Sequence, residues 1–464
     1  MTKNSKIVLL LVFALALWFD LHIPLSEDEA NYWAWSRHLA LSYYDGPPMI
    51  AYMIRASTAI FGNTVFGVKA VELFCFTLAA YLLHQFAKHL FNAKTAEIAL
   101  ILFLLSPGVQ VGYAITTYDA PLTLFWIATL YAFYLALETQ KARYLYYTGV
   151  LAGLLLLSKY TGVLLLVFLF LEVLLSKTGR QLFKSPHFYA AIMLMFIIFS
   201  PVLIWNMQQH WVSFLFQWHN GVATHPVFQL ELLLAFLGGQ LGLVTPVAFI
   251  AFLVLIPMKW KEIWQDQRLR YLMLPFVGTL GFFLYNGLYK NSPPNWPAPA
   301  YFSGLIMLGY WIQKYHYRKT YWGIVGVSLV LAIILHLPPV ILGKIEVTKP
   351  FFSKLYEGYP EMMPQANAEI KPGDLILADT YANASEASFY LQNQPLTYIL
   401  GSDWISVYTY WSAPLLTQKL TQAWYIGNQP PQLQAYFKHC NFVKNLTAET
   451  AFGQTNLVLY HCSN

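Results

Sequence analysis

Leu145–Ser176 reads LYYTGVLAGLLLLSKYTGVLLLVFLFLEVLLS, two apolar runs joined by the break SKYTG at Lys159. Each run, 145–158 and 160–176, has near membrane-spanning length, so the pair reads as one long broken helix or as two short ones. The same pattern recurs outward in both directions. Apolar runs lie at about 7–20, 66–87, 96–113, 119–137, 188–205, 231–256, 271–288, 297–313 and 321–342. Together these predict roughly eleven membrane spans. Composition agrees: 57% of residues are hydrophobic and 11% charged, about half the charge of a soluble domain, with a mean hydropathy of +0.47.

The basic residues give the spans a direction. With the N-terminus (Lys3, Lys6) in the cytoplasm, alternate loops hold Lys88 and Lys94; Lys141 and Arg143; Lys177, Arg180 and Lys184; Lys259, Lys261, Arg268 and Arg270; and Lys314, Arg318 and Lys319. The opposite loops hold only Arg37, Arg55, Lys69, Lys159 and Lys290. Roughly sixteen against five selects this orientation and an odd number of spans. The first span lacks a small-residue cleavage site and reads as retained. An acid-rich first loop (21–65) and the polar tail then share the non-cytoplasmic face.

From about residue 345 the composition changes. KPGDLILADTY and TNLVLYH read as short strands and NASEASFYLQ as a helix start. The expected organisation is a transmembrane all-α bundle, residues 1–344, followed by a small α/β domain, residues 345–464. Cys440 and Cys462 lie in this tail, either paired as a disulfide or as two free thiols; Cys75 lies in a span.

Three acids, Glu27-Asp28-Glu29, open the helical stretch DEANYWAWS of the first loop. Ser26 and Glu29 form a capping-box pattern, which explains Glu29, and an acid in a first helical turn explains Glu27. Asp28 is not needed for capping, and is free to take a proton from a hydroxyl or to hold a cation. Tyr32, Trp33 and Trp35 suit a helix lying in the membrane interface. In YYDGPPMIAYMIR, Gly-Pro-Pro blocks helix until about Met49. Asp45 reads as a turn residue or as support for the first loop, and Arg55 as a snorkelling or phosphate-binding cation.

TTYDAPLTLFW puts Asp119 at the start of a span, where an acid is either an ordinary helix start or functional. Lys159 between apolar runs either snorkels or meets an anionic lipid. NSPPNWPAPAY has four prolines in seven residues and must be an ordered non-helical loop or a broken helix. WNMQQHWVSFLFQWHNG carries a polar-aromatic set suited to sugar rings or to an interface belt.

These pieces, in this order along nearly the whole chain, resemble the GT-C glycosyltransferases, in particular the bacterial branch related to protein O-mannosyltransferases and lipid A aminoarabinose transferases. ASFYLQNQPLTYIL in the tail adds to the resemblance. It implies an inner-membrane enzyme that transfers a sugar, with inversion, from a polyprenyl-phosphate donor to a lipid (lipid A among them), glycan or protein acceptor on the periplasmic face. By the resemblance Asp28 maps to the catalytic base and Asp119 to a second acid orienting the acceptor or the sugar. Aminoarabinose transferases carry a lysine just before the proline of the first-loop motif. Gly46-Pro47 stands there in this chain, which moves phosphate contact to Lys159, Arg55 or Lys290. Glu29, Tyr160, Asn206, Trp211, Gln217 and Trp296 complete the expected substrate-binding set. No cofactor is required; a divalent metal is left open, with Asp28 and Glu29 as its ligands. The rival readings are a lipid-linked sugar transporter or flippase, which predicts acids spread through the spans and repeat symmetry, and a non-catalytic membrane assembly factor. No nucleic acid partner is expected.

Overall fold

The computed structural model describes residues 2–221, 227–346, 349–401 and 405–464. The chain is mostly helical, with one small sheet near its C-terminus. It divides into two compact units. The first comprises Met1–Trp18, Gly46–Ile50 and Ala70–Leu335; the second comprises Phe19–Asp45, Ala51–Lys69 and His336–Asn464.

The helices up to Leu335 run in chain order as follows. They are α1 (Lys3–Asp20), α2 (Glu27–Arg37), α3 (Met49–Phe61), α4 (Val65–Leu90), α5 (Ala93–Leu105), α6 (Pro107–Gly112), α7 (Asp119–Thr139), α8 (Ala142–Ser158) and α9 (Gly162–Leu175). Then come α10 (Lys177–Leu182), α11 (Pro186–Gln208), α12 (Val212–Gly221), α13 (Leu230–Val244), α14 (Pro246–Met258), α15 (Trp260–Gln265), α16 (Gln267–Gly287), α17 (Ala300–Tyr315) and α18 (Arg318–Leu335).

Every apolar run expected from the sequence is helical, but many are short or broken. Among the described residues four helices, α4, α7, α11 and α18, are long and apolar enough to cross a membrane, or five if α13 and α14 count as one span bent by 105°. Prolines set two of the breaks. Pro107 and Pro246 each stand at the first helical position after one, because the residue before a proline is pushed out of the α region. At SKYTG the chain forms two helices, with Lys159 extended between α8 and α9. Small residues let α8 and α11 approach: a Cβ on Gly149 would sit 2.4 Å from the Ala191 carbonyl oxygen. One buried ion pair braces α9 against α16, Arg270 donating twice to Glu172 at 3.0 and 2.9 Å.

In the second unit a five-stranded sheet has the order β2-β1-β3-β5-β4, with β1 Ile376–Ala378, β2 Thr397–Ile399, β3 Gln422–Gly427, β4 His439–Thr450 and β5 Gly453–Ser463. β1 runs parallel to β2 and β3, and β5 is antiparallel to both β3 and β4. Cys440 and Cys462 face each other across β4 and β5 and form a disulfide. The helix Tyr381–Tyr390 connects β1 to β2 and packs against α2.

That packing revises two expectations. The tail shares its compact unit with residues 19–45 and 51–69 of the first-loop region. The aromatic set of α2 is protein core and not an interface belt: Tyr32, Trp33 and Trp35 are buried. Trp33 meets Phe389 edge to face at 4.9 Å, and its indole N–H donates to Asn63. Trp35 stacks on Tyr43 at 4.2 Å. An amphipathic ring satisfies a protein groove as readily as a headgroup layer.

Candidate active site

The second unit carries the first-loop acids. Ser26 and Glu29 form the capping box at the start of α2. Glu29 Oε2 accepts from the Ser26 backbone N–H at 2.8 Å and from its hydroxyl at 2.9 Å. Glu29 Oε1 accepts from Lys69 Nζ at 2.9 Å, with both side chains 1% exposed. Glu29 is therefore a structural anchor and leaves the substrate-binding set.

Asp28, one residue earlier, points about 100° away round the helix. It keeps solvent-accessible surface, yet burial raises its pKa to about 6. The Glu27 and Glu29 carboxylates add to that rise, while Lys354 and a hydrogen bond with Tyr381 oppose it. Asp28 is thus an exposed residue with protein atoms crowded around its carboxyl. Asp45 is raised to about 7, first by burial and further by Asp28, against a hydrogen bond from the Val407 backbone. Arg55 is exposed on α3.

The first unit holds a second constellation. Asp119 is the first residue of α7. Its Oδ1 accepts from Lys159 Nζ at 2.6 Å and its Oδ2 from Asn295 Nδ2 at 3.0 Å. The Asp119 backbone N–H donates to Thr117 Oγ1 at 3.2 Å. Lys159 Nζ also lies 5.4 Å from the centre of the Tyr118 ring. The helix break at SKYTG is what frees Lys159 to reach Asp119. Asn295, supplied by the proline-rich loop, was not expected from the sequence; nothing in its spacing singles it out beyond the rigidity of that loop.

The other expected residues are spread around the first unit. Tyr160 shares a hydrogen bond with Ser213 at 3.0 Å. Asn206 is fully buried; its amide donates to the Val202 carbonyl at 3.0 Å and accepts from the Phe214 N–H at 3.3 Å. It holds the α11–α12 corner together and leaves the sugar-pocket set. Trp211 is half exposed and has a φ of +64°, and Gln217 is half-buried on α12. Lys290 donates to the His219 carbonyl. Trp296 packs on Phe283 at 6.0 Å.

Residues 45–205 match the family model described as dolichyl-phosphate-mannose-protein mannosyltransferase. Lipid A galacturonosyltransferase RgtD of Rhizobium johnstonii is 25% identical over 325 residues, 69% of this chain and 67% of that protein. An undecaprenyl phosphate-alpha-4-amino-4-deoxy-L-arabinose arabinosyl transferase of Pseudomonas fluorescens is 23% identical over 305 residues, 61% of this chain and 51% of that protein. The chain thus spans about two thirds of the first relative and about half of the second. The crystal structure of ArnT from Cupriavidus metallidurans bound to undecaprenyl phosphate superposes with a TM-score of 0.69 at 13% identity, covering 98% of this chain and 97% of that one. In partial sequence and in fold the chain is similar to GT-C glycosyltransferases.

A divalent metal on Asp28 and Glu29 does not fit the residues as they stand. Both Glu29 oxygens are engaged by Lys69 and Ser26. Among the described residues no three His, Cys, Asp or Glu side chains converge as metal ligands. The acids therefore divide by surroundings. Glu29 is saturated and Asp119 is held by a cation and an amide, while Asp28 and the less exposed Asp45 keep solvent-accessible surface and pKa values raised to about 6 and about 7, near the working range of a base.

Proposed function

We propose that this chain is an inverting glycosyltransferase that moves a sugar from a polyprenyl-phosphate donor to a lipid, glycan or protein acceptor on the periplasmic face of a bacterial inner membrane. The reading includes about eleven membrane crossings, counting the short and broken helices, with a cytoplasmic N-terminus and a periplasmic tail. The relatives' names support the donor class: one transfers to lipid A, and another is named for an undecaprenyl phosphate sugar.

The observation that carries the proposal is Asp28, an accessible carboxyl whose pKa of about 6 leaves it mostly ionised at neutral pH. In the proposed step Asp28 takes the proton of the acceptor hydroxyl as its oxygen bonds to the anomeric carbon. The bond from that carbon to the phosphate oxygen breaks, and polyprenyl phosphate leaves with the electron pair. A cation must stabilise the leaving charge. Lys159 is the first candidate, its ammonium fixed by Asp119, which Asn295 holds in turn, followed by Arg55 and Lys290. Trp211, Gln217 and Trp296 are offered to the sugar. Asp45 supports the first loop and shares its charge state with Asp28.

The test uses the purified full chain in detergent with lipid A and two donors, undecaprenyl phosphate carrying 4-amino-4-deoxy-L-arabinose or galacturonic acid. Release of undecaprenyl phosphate by the wild type and its loss in Asp28→Asn is the expected result. Equal turnover by both proteins removes Asp28 from the mechanism.

A further inference from the structure

Behind Asp28 lies a buried charge cluster that the proposed reaction does not use. Lys69, at the start of the second turn of α4, is 1% exposed and bonds Glu29 at 2.9 Å. Asp20, the last residue of α1, is fully buried and lies within electrostatic reach of both Lys69 and Glu29. Neither Asp20 oxygen has a hydrogen-bond partner among the described residues. A carboxylate at a helix C-terminus is disfavoured by the macrodipole, and a buried carboxyl without a hydrogen bond is costly. Removing Lys69 would strand the buried Glu29 carboxylate, which makes that lysine hard to replace.

The geometry of α2 gives the cluster a use. Glu29 ties Ser26 with one oxygen and Lys69 with the other, so the first turn of α2 cannot rotate without breaking both. Asp28 sits in that same turn. We propose that Lys69 is a positioning residue for Asp28, locking the first turn of α2 through Glu29. This rests on Asp28 being the base.

The groups that face Asp28 are Glu27, Glu29, Asp45, Lys354 and Tyr381. Of these, Glu29 is the one whose charge Lys69 balances. Lys69→Met therefore has two expected effects on turnover. kcat falls about 10- to 100-fold, with donor KM changed less than about 3-fold, because a misplaced base costs rate and not ground-state binding. The acid limb of kcat/KM also moves to higher pH, because an uncompensated Glu29 disfavours the ionised form of Asp28. Lys69→Arg, which keeps the charge, restores the limb and most of the rate.

The experiment measures kcat, KM and the pH profile of these variants with whichever of the two donors supports turnover. If Lys69→Met does not fold, Lys69→Met/Glu29→Gln removes both charges while keeping a capping side chain. That variant is expected to fold, to stay slow, and to show an acid limb at or below the wild-type position. Wild-type kcat and an unmoved limb in Lys69→Met, or wild-type kcat in the double variant, overturn the proposal. An active Asp28→Asn, run in parallel, sinks the base assignment itself and the Lys69 proposal with it; an inactive one leaves the Lys69 result to decide.

Discussion

Replacing Lys159 with methionine removes a cation whose nitrogen lies 2.6 Å from Asp119 Oδ1, in a pair 13% and 24% exposed. The stability cost follows from what remains. Breaking a fully buried pair costs about 3–5 kcal/mol. Here Asp119 retains partial solvation and its bond from Asn295, which brings the expected cost to about 1–3 kcal/mol. The catalytic cost is separate. If Lys159 stabilises the departing phosphate, its loss lowers kcat by about 10²–10³. Asp119→Asn/Lys159→Met separates the two effects. Neutralising both partners removes the stranded charge, so thermal stability in detergent returns close to wild type. Turnover stays low, because no ammonium has been put back. Recovery of kcat along with stability in the double variant would falsify the phosphate role and reduce Lys159 to a partner of Asp119.

Further outcomes follow from the second unit. Since Asp28 acts ionised and its pKa is raised to about 6, kcat/KM rises with pH to a plateau above about 7 and is roughly tenfold lower at pH 5; a flat profile from pH 5 to 8 contradicts this. Glu386 is fully buried on the helix Tyr381–Tyr390, its oxygens lack hydrogen-bond partners among the described residues, and burial and neighbouring acids raise its pKa well above the ordinary value. A raised carboxyl stabilises the fold at low pH, and that contribution is lost as pH rises towards the folded-state pKa. Glu386→Gln does not titrate, so its stability relative to wild type grows between pH 5 and 8 by up to about 1.4 kcal/mol per pH unit, read as a widening gap in melting temperature. A gap that shrinks with pH refutes the assignment. Cys440→Ser/Cys462→Ser opens a bridge spanning 22 residues. The hairpin already holds those strands together, so calorimetry is expected to show a loss below about 3 kcal/mol, with turnover unchanged.

The membrane class of this chain was readable because apolar runs of spanning length need no partner to be recognised, and the capping box at Ser26–Glu29 because it is local. The aromatics of α2 were misread for a physical reason. Trp33 and Trp35 want an apolar bed with a polar edge, and the helix Tyr381–Tyr390, some 350 residues later, supplies one that no periodicity announces. Asn295 escaped because a single amide in a proline-rich loop becomes informative only when Asp119 lies 3.0 Å away. The first-loop acids are the sharpest case. Asp28 and Glu29 are chemically almost interchangeable as written, and both entered the expected site. They part company because consecutive helical residues face about 100° apart, and Lys69, 40 residues on, claims one of them. Which carboxylate is anchor and which is open to chemistry is therefore a property of a long-range ion pair. It becomes legible only once α2 and the start of α4 have been brought together.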